Sequence, residues 1–288
     1  MGDAVPPPAP AFPLGLQAVA FWSDRVPDWP TARQLLRSGS APTEGEPLRP
    51  PPPQMLQGAE RRRASPAVAL GLELARLALA EAGVDAQAVE AVFTSSHGDV
   101  MVTDEICRTL AQDPALLSPL RFHHSVHNAV AGYWSIATGN TRATTALAGH
   151  EHSFAGGLLE AGLRVRQLGT PVLLVSLDLC PPPLMQALAP ARQALGAALV
   201  LGPAGTGRQQ LTLAVSPASA ATPVPLPAWL DGSYQPDLAR FLCALARLDD
   251  NDPDGIATPL SAPGSAPPRA ELRMSLGGQL DLAVALDG

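Results

Sequence analysis

Short apolar runs of strand length alternate with helical patterns from residue 15 to residue 202, and this alternation limits the possible folds more than any other feature. The clearest helix is expected over residues 66–82, with Ser65 as its N-cap and Gly83 just beyond its end. Its apolar residues recur at spacings of three and four: Val68, Leu72, Ala75, Leu79 and Ala82. The alternation predicts an α/β layered fold with mostly parallel strand pairing.

Other segments have the composition of strands and shorter helices. Two helices are expected, over residues 104–112 and over residues 129–138 before Gly139. The remaining apolar runs predict strands at residues 16–22, 89–95, 144–148, 171–178, 194–201 and 211–216.

Changes in composition divide the chain into three regions. Residues 1–14 are rich in proline and are expected to form a flexible leader, and residues 15–216 carry the alternating pattern of the main domain. Residues 217–288 form a C-terminal extension that we expect to pack on the same domain. Within it, the pattern predicts an amphipathic helix over residues 237–248 and a hairpin around Gly277-Gly278.

Charge and cysteine usage exclude several classes of protein. All 19 basic residues are arginines, so sites that need a lysine, such as a P-loop or a Schiff base, are excluded. A net charge of −7 argues against nucleic-acid binding. The three cysteines lie far apart, which argues against a disulfide framework and favours a reducing compartment. No apolar run approaches the length of a membrane span, so we expect a cytoplasmic protein.

Histidines are concentrated in one part of the chain, since all six lie between residues 97 and 152. The spacing of His150 and His152 does not place both on one helical face, and no HExxH pattern occurs. No GxGxxG motif follows the first strand, and no GxSxG elbow is present. We therefore expect structural or pocket histidines, with no metal site and no bound cofactor.

A buried strand at residues 144–148 leads through a tight polar turn into a helix with small residues at its start. A helix N-terminus offers unpaired N–H groups and a positive dipole end, which suit a thiolate, a carboxylate or an oxyanion. Glu151 lies at this elbow. It is interpreted either as a residue that caps the helix or as a pocket carboxylate.

Several segments in a fixed order resemble the N-terminal half of a β-ketoacyl synthase. The order is most similar to that of the synthase-like subunits called chain length factors in bacterial aryl polyene and xanthomonadin-type pigment clusters. The resemblance covers about residues 15–215. The segments that carry it are Trp22, Pro27-Asp28-Trp29, Arg61-Arg62-Arg63-Ala64-Ser65, Ser95-Ser96-His97-Gly98, residues 125–139 (SVHNAVAGYWSIATG), residues 145–155 (TALAGHEHSFA) and residues 169–178.

The resemblance implies a thiolase-like half-fold, a mixed sheet with flanking helices that lacks the second half of a full synthase. In active synthases the elbow carries an acyl-accepting cysteine, and this position falls at Glu151 or, with a gap of one, at His152. Active synthases also use later histidines, and often a lysine, to decarboxylate malonyl carrier protein. No histidine follows His152 and no lysine occurs in this sequence, so no catalytic residue is expected. The degenerate elbow comprises His150, Glu151, His152 and Ser153.

The function implied is that of a non-catalytic partner of a complete β-ketoacyl synthase, in a heterodimer that also meets acyl carrier protein through the synthase. In related synthases the strand before the nucleophile pairs across the dimer axis. The expected interface residues are Thr144, Thr145, Ala146, Leu147, Ala148, His127, Asn128, Tyr133 and Trp134. Two alternatives remain open: a stand-alone enzyme that uses His150, Glu151 or His152 in acid–base or metal chemistry, and a homodimeric acyl-binding module.

Overall fold

One mixed sheet of eight strands organises the protein in the computed structural model, which describes residues 10–187, 191–219, 224–248 and 269–287. The strand order is β3-β2-β4-β5-β1-β6-β8-β7. The strands are β1 (Phe12–Ser23), β2 (Glu90–Thr94), β3 (Thr144–Leu147), β4 (Val172–Asp178), β5 (Leu195–Pro203), β6 (Gln209–Pro217), β7 (Arg269–Gly277) and β8 (Leu280–Asp287).

Helices cover both faces of this sheet and bury two separate apolar cores. The helices are α1 (Trp29–Ser38), α2 (Gly58–Arg63), α3 (Pro66–Ala82), α4 (Val100–Gln112), α5 (Pro119–His124), α6 (Ala129–Thr138), α7 (Ser153–Leu168) and α8 (Pro236–Leu248). The first core joins the sheet to α1, α7 and α8, and the second joins it to α3 and α6. The expected mixed sheet with flanking helices is therefore confirmed.

The expectation of mostly parallel pairing is wrong. Only β2–β3 and β2–β4 are parallel among the strand pairings of the described residues, and β1 pairs antiparallel with both β5 and β6. The strand–helix alternation is local, but pairing direction depends on which distant strands become neighbours, and β1 pairs with strands nearly 200 positions later. β1 also begins at Phe12, so residues 12–14 of the expected leader belong to the sheet, while residues 1–9 lie outside the described residues.

Local signals placed α3 and α6 well. α3 spans Pro66–Ala82, the Ser65 side chain accepts a hydrogen bond from the Val68 N–H, and Gly83 adopts a left-handed conformation at the C-terminus. α6 ends before Gly139 as expected. α4 begins at Val100, earlier than expected, because the Asp99 side chain caps it by accepting from the Val102 N–H.

The C-terminal segment continues the sheet. β8 pairs with β6 and β7 pairs with β8, so the hairpin at Gly277-Gly278 adds two strands beyond β6. α8 packs among the apolar residues of the first core, with Phe241 against Phe154 of α7. The division of the chain at residue 216 remains a proposal, and the sheet itself is continuous across that position.

α7 lies so close to the sheet that one of its positions has no space for a side chain. A Cβ built on Gly157 would lie 2.3 Å from Cγ2 of Thr94 in β2 and 3.1 Å from Cδ1 of Leu174 in β4. The exposed Gly132 of α6 has no atom within 4 Å of the same position. Substitutions at these two glycines can therefore distinguish the effect of close packing from that of intrinsic helix preference.

We predict opposite effects for alanine at these two glycines. Gly157→Ala should lower the free energy of unfolding by about 1–3 kcal/mol, because Thr94 and β2 must shift to admit the methyl group. Gly132→Ala should raise it by up to about 1 kcal/mol, because alanine favours the helix and meets nothing. Urea denaturation of both variants checks this. Equal effects at the two positions would contradict the close contact between α7 and the sheet.

Candidate functional site

The carboxyl ends of three neighbouring strands meet at one edge of the sheet. β2, β3 and β4 are aligned in parallel, so the turn after β2, the elbow after β3 and Asp178 at the end of β4 lie together. This is the edge at which open α/β sheets usually bind ligands. The elbow comprises residues 148–153 and leads into α7, whose first residue is Ser153.

The backbone of the elbow is strained at His150, the only non-glycine of the described residues with a positive φ, 56°. Hydrogen bonds fix this conformation: the His150 carbonyl accepts from Ser96 Oγ at 2.8 Å and from Ser153 Oγ at 2.6 Å. Ser153 Oγ also accepts from the Gly149 N–H at 2.9 Å. The sharp turn is thus centred on His150, one residue before the position assigned to the lost nucleophile.

The other elbow residues have different surroundings. The Glu151 side chain is 60% exposed, and its Oε1 lies 3.7 Å from Nε2 of His152. His152 is the N-cap residue of α7, but no side chain makes a capping hydrogen bond there. Glu151 therefore does not cap the helix, and Ser153 ties the elbow to the helix instead. Ser153 is fully buried and both accepts and donates hydrogen bonds, so its hydroxyl is not a free nucleophile.

Three rings from separate segments pack at the elbow. His97 lies in edge-on contact with Tyr234, with 4.2 Å between ring centroids, and with His150 at 5.4 Å. Tyr234 also contacts His150 edge-on, and its hydroxyl lies 3.4 Å from His150 Nε2. Burial lowers the pKa of His97 more than the nearby Asp178 carboxylate raises it, so the ring is neutral at pH 7. Burial also raises the pKa of Tyr234.

A buried hydrogen-bond network lies behind these rings and is centred on the Asp178 carboxylate. Asp178 accepts from Ser95 Oγ at 2.7 Å, from the Ser96 N–H at 3.0 Å and from Gln235 Nε2 at 2.7 Å. Gln235 in turn accepts from Ser176 Oγ, which itself accepts from Thr94 Oγ1 at 2.7 Å. The network joins the ends of β2 and β4 to the residue just before α8.

Sequence reasoning missed the C-terminal contribution to this site. Tyr234 and Gln235 precede α8 in a segment that carries no motif, and their proximity to the elbow depends on long-range packing. Asp178 was within the expected strand, and its position at the carboxyl end of a parallel strand was the one available signal.

A polar cavity of about 350 Å³ lies beside the elbow, between the start of α8 and the C-terminal hairpin. Glu151, His152, Asp237 and Arg240 line it together with residues of β7 and β8. Burial raises the pKa of Asp237 to about 6, although Arg240 Nη1 lies 3.2 Å from its carboxylate and lowers that pKa. The site can therefore hold polar or charged groups, but its elbow supplies no thiol and no free hydroxyl.

Of the other histidines, His127 contacts the turn after β2, and His123 and His124 pack on Tyr133. Among the described residues no group of three or more His, Cys, Asp or Glu side chains could hold a metal ion. His124 is buried and stacks on Tyr133, with 5.3 Å between ring centroids. Burial is the main cause that lowers the pKa of His124. His123 packs beside this pair, while Nε2 of His127 lies 2.9 Å from the Ser95 carbonyl oxygen.

The expected interface residues differ in exposure, and most of them are half-buried. β3 is an edge strand of the sheet. The sequence predicted a buried strand, but its four residues are half-buried. Ala148 and Asn128 are exposed, and Tyr133 is half-buried. Trp134 was predicted at the interface, but its side chain is fully buried against Phe93 and supports the core of the chain itself. In the described part of the chain, no helix is both long and apolar enough to cross a membrane.

Known structures share this architecture. A ketosynthase–chain length factor complex from Xenorhabdus doucetiae (ApeO with ApeC) contains a chain that matches at 21% identity, over 94% of this chain and 98% of that one, with a TM-score of 0.64. The ishigamide ketosynthase/chain length factor matches at 13% identity, over 96% and 99%, with a TM-score of 0.66. These likenesses confirm the thiolase-like ketosynthase fold.

A third match is the type II polyketide synthase complex AntDE:AntF, at 10% identity, over 96% of this chain and 99% of that one, with a TM-score of 0.72. No significant match was found among curated protein sequences. The family model described as the N-terminal domain of beta-ketoacyl synthases matches residues 36–246, well over half of the chain. The chain belongs to this beta-ketoacyl synthase N-terminal domain family.

Proposed function

We propose that the protein is a non-catalytic chain length factor that pairs with a complete β-ketoacyl synthase. This proposal rests on one observation: the chain has the elbow of the family's fold, but the elbow contains no thiol. Its residues are His150, Glu151 and His152, and the three cysteines of the chain, Cys107, Cys180 and Cys243, all lie outside it. A carboxylate or imidazole there cannot form the acyl thioester on which condensation depends.

The exposed edge of the sheet supports a partner of the same fold. β3 pairs only with β2 among the described strands, which leaves one side of its backbone open. An open edge strand is a template for pairing with another chain. β3 also lies beside α6, on which Ile136 is 65% exposed. A synthase of the same fold presents an equivalent strand, so the two sheets can continue across the interface.

Exposed large apolar side chains are concentrated in the segment that joins β2 to β3, and exposed apolar surface often marks a protein interface. Seven large apolar side chains are exposed between residues 101 and 136: Met101, Leu110, Leu116, Leu120, Phe122, Val126 and Ile136. We place the partner synthase on this surface and on β3.

The pathway we propose is the biosynthesis of an aryl polyene or xanthomonadin-type pigment, or a related polyketide, in the cytoplasm. The order of sequence segments around the elbow supports this assignment, and the Xenorhabdus complex supports the pairing of such a fold with a ketosynthase. In the role that we propose, a subunit with no nucleophile stabilises the synthase and limits the chain that grows on its partner.

Acid–base chemistry by the elbow is the second candidate, and the contact between Tyr234, His150 and the neutral His97 favours it. The two candidates differ in a simple respect. A chain length factor needs the synthase for any turnover, whereas an independent enzyme converts a substrate alone. Loss of such activity in His150→Ala, with the fold intact, would support the second candidate.

We predict that Ile136→Glu weakens assembly with a complete β-ketoacyl synthase from the same organism. The wild-type chain should elute with the synthase as a heterodimer, measured by size-exclusion chromatography with light scattering. A charge placed in an apolar interface should weaken binding about tenfold or more.

Leu280→Glu is the matched control, because Leu280 is 42% exposed in β8 near the opposite edge of the sheet. It should leave assembly unchanged. If Ile136→Glu assembles like the wild type, the interface lies elsewhere. If the wild-type chain itself stays apart from the synthase, the proposed function is wrong.

We predict that a thiol at the elbow does not restore condensation. His150→Cys and Glu151→Cys both place a cysteine in the elbow before α7, but the chain has no lysine and no histidine after His152 to decarboxylate a malonyl carrier. Mass spectrometry of carrier-bound products should show no elongated acyl chain when either variant is assayed alone. Alkylation of the new cysteine confirms that it is accessible. Elongation by either variant without a partner would refute a non-catalytic role.

A further inference from the structure

One arginine of α7 joins three elements beside the open edge strand β3. Arg164 Nε donates to Glu160 Oε1 in the same helix at 2.8 Å, and its Nη1 donates at 3.0 Å to Oε2 of Glu90, the first residue of β2. The Nη2 group donates to Oγ1 of Thr145 in β3 at 2.6 Å. The Arg164 side chain is only 17% exposed, so water competes little for these charge-assisted hydrogen bonds.

α7 holds β3 at two points on one face of the sheet. Side chains alternate along a strand, so Thr145 and Leu147 point to the same face. Leu147 also lies against α7, because its Cδ2 is 3.3 Å from the position of a Cβ built on Gly156. Ala146 packs on the opposite face, against the second core. The Arg164–Thr145 contact is thus one of two contacts that fix how β3 is turned about its axis.

The backbone groups of β3 alternate in the same way. The carbonyls of Ala143 and Leu147 accept hydrogen bonds from N–H groups on the β2 side of the strand. Residues two positions apart in a strand direct their N–H and C=O groups to the same side. Thr144 and Ala146 therefore direct theirs to the open edge, where a partner strand would meet them.

β3 needs such an anchor because little else holds it. It has four residues and pairs with β2 alone among the described strands. A short strand that is bonded on one side opens more readily than an inner strand. In the described part of the chain, the Arg164–Thr145 bond is also the one side-chain hydrogen bond between β3 and a helix.

We propose that Arg164 is a positioning residue for assembly: through Thr145 it holds the backbone groups of Thr144 and Ala146 in the orientation that pairs with an edge strand of the synthase. This inference rests on the proposed function and names the groups that pair and the side chain that orients them. The planar guanidinium can reach two carboxylates and a hydroxyl at once, which the single ammonium of a lysine cannot do.

The first test uses the free full-length chain. Thr145→Val removes the hydroxyl but keeps the branched shape of the side chain. Hydrogen exchange followed by mass spectrometry should show at least about fivefold faster exchange of the β3 amides. The amides of β4 should exchange as in the wild type, which separates local opening from a general loss of stability. Thr145→Ser keeps the hydroxyl and should exchange like the wild type.

The second test adds a complete β-ketoacyl synthase from the same organism. In the wild-type chain, residue-resolved hydrogen exchange should show new protection at the Thr144 and Ala146 amides. Thr145→Val should weaken binding at least about threefold, measured by biolayer interferometry, because β3 is then less often in the pairing orientation. Arg164→Lys should weaken binding at least as strongly.

Matched variants control for the type of substitution. Thr212→Val makes the same change at a half-buried position of β6, and it should leave both the exchange of β3 and the affinity unchanged. Arg76→Lys alters an arginine that is hydrogen-bonded to Glu73 within α3, and it should also bind like the wild type.

The outcomes separate this inference from the proposed function. If the wild-type chain does not bind the synthase, both are wrong. If the wild-type chain binds but Thr145→Val binds equally well, or Thr144 and Ala146 gain no protection, the positioning role is overturned and the proposed function stands. Unchanged exchange of β3 in free Thr145→Val would also overturn the positioning role.

Discussion

The elbow depends on the hydrogen bonds that the buried carboxylate of Asp178 accepts. A carboxylate that is 5% exposed is stable in the charged form only with several hydrogen bonds, and Ser95, Ser96 and Gln235 supply them. Each donor comes from a segment that must be in place: the turn after β2 or the residue before α8. Removing one donor would leave a buried charge partly unpaired, which costs about 1–3 kcal/mol or more. The C-terminal segment is thereby tied to the elbow.

This dependence explains which features the sequence could predict. The caps of α3 at Ser65 and Gly83 are local, because a side chain and the backbone a few residues away decide them. The elbow turn was local too, since a strand, polar residues and small helical residues follow each other in the chain. The sequence did not identify His150 as the strained residue, because the hydrogen bond from Ser96 that fixes its carbonyl comes from a different strand end.

Non-local features escaped prediction for the same physical reason. Gln235 reaches Asp178 over 57 positions, and nothing near Gln235 in the sequence marks it as part of a site. Trp134 was expected at a partner surface, yet the apolar face of α6 that carries it turns toward Phe93 and the core. Helical periodicity predicts that a helix has an apolar face. It does not give the element against which that face packs, particularly in a helix with exposed apolar residues such as Ile136 on another side.

The strain at His150 bears on what the elbow is for. A histidine in the left-handed region costs on the order of 1–3 kcal/mol, and such strain usually persists where it positions a reacting group. Here it persists without a thiol, held by the hydroxyl groups of Ser96 and Ser153. The hydrogen bonds serve the shape of the turn, and this shape sets where β3 ends and where α7 begins. An elbow that orders the open edge strand is useful to a partner subunit even when its chemistry is gone. The geometry of the elbow therefore fits the assembly role that we propose.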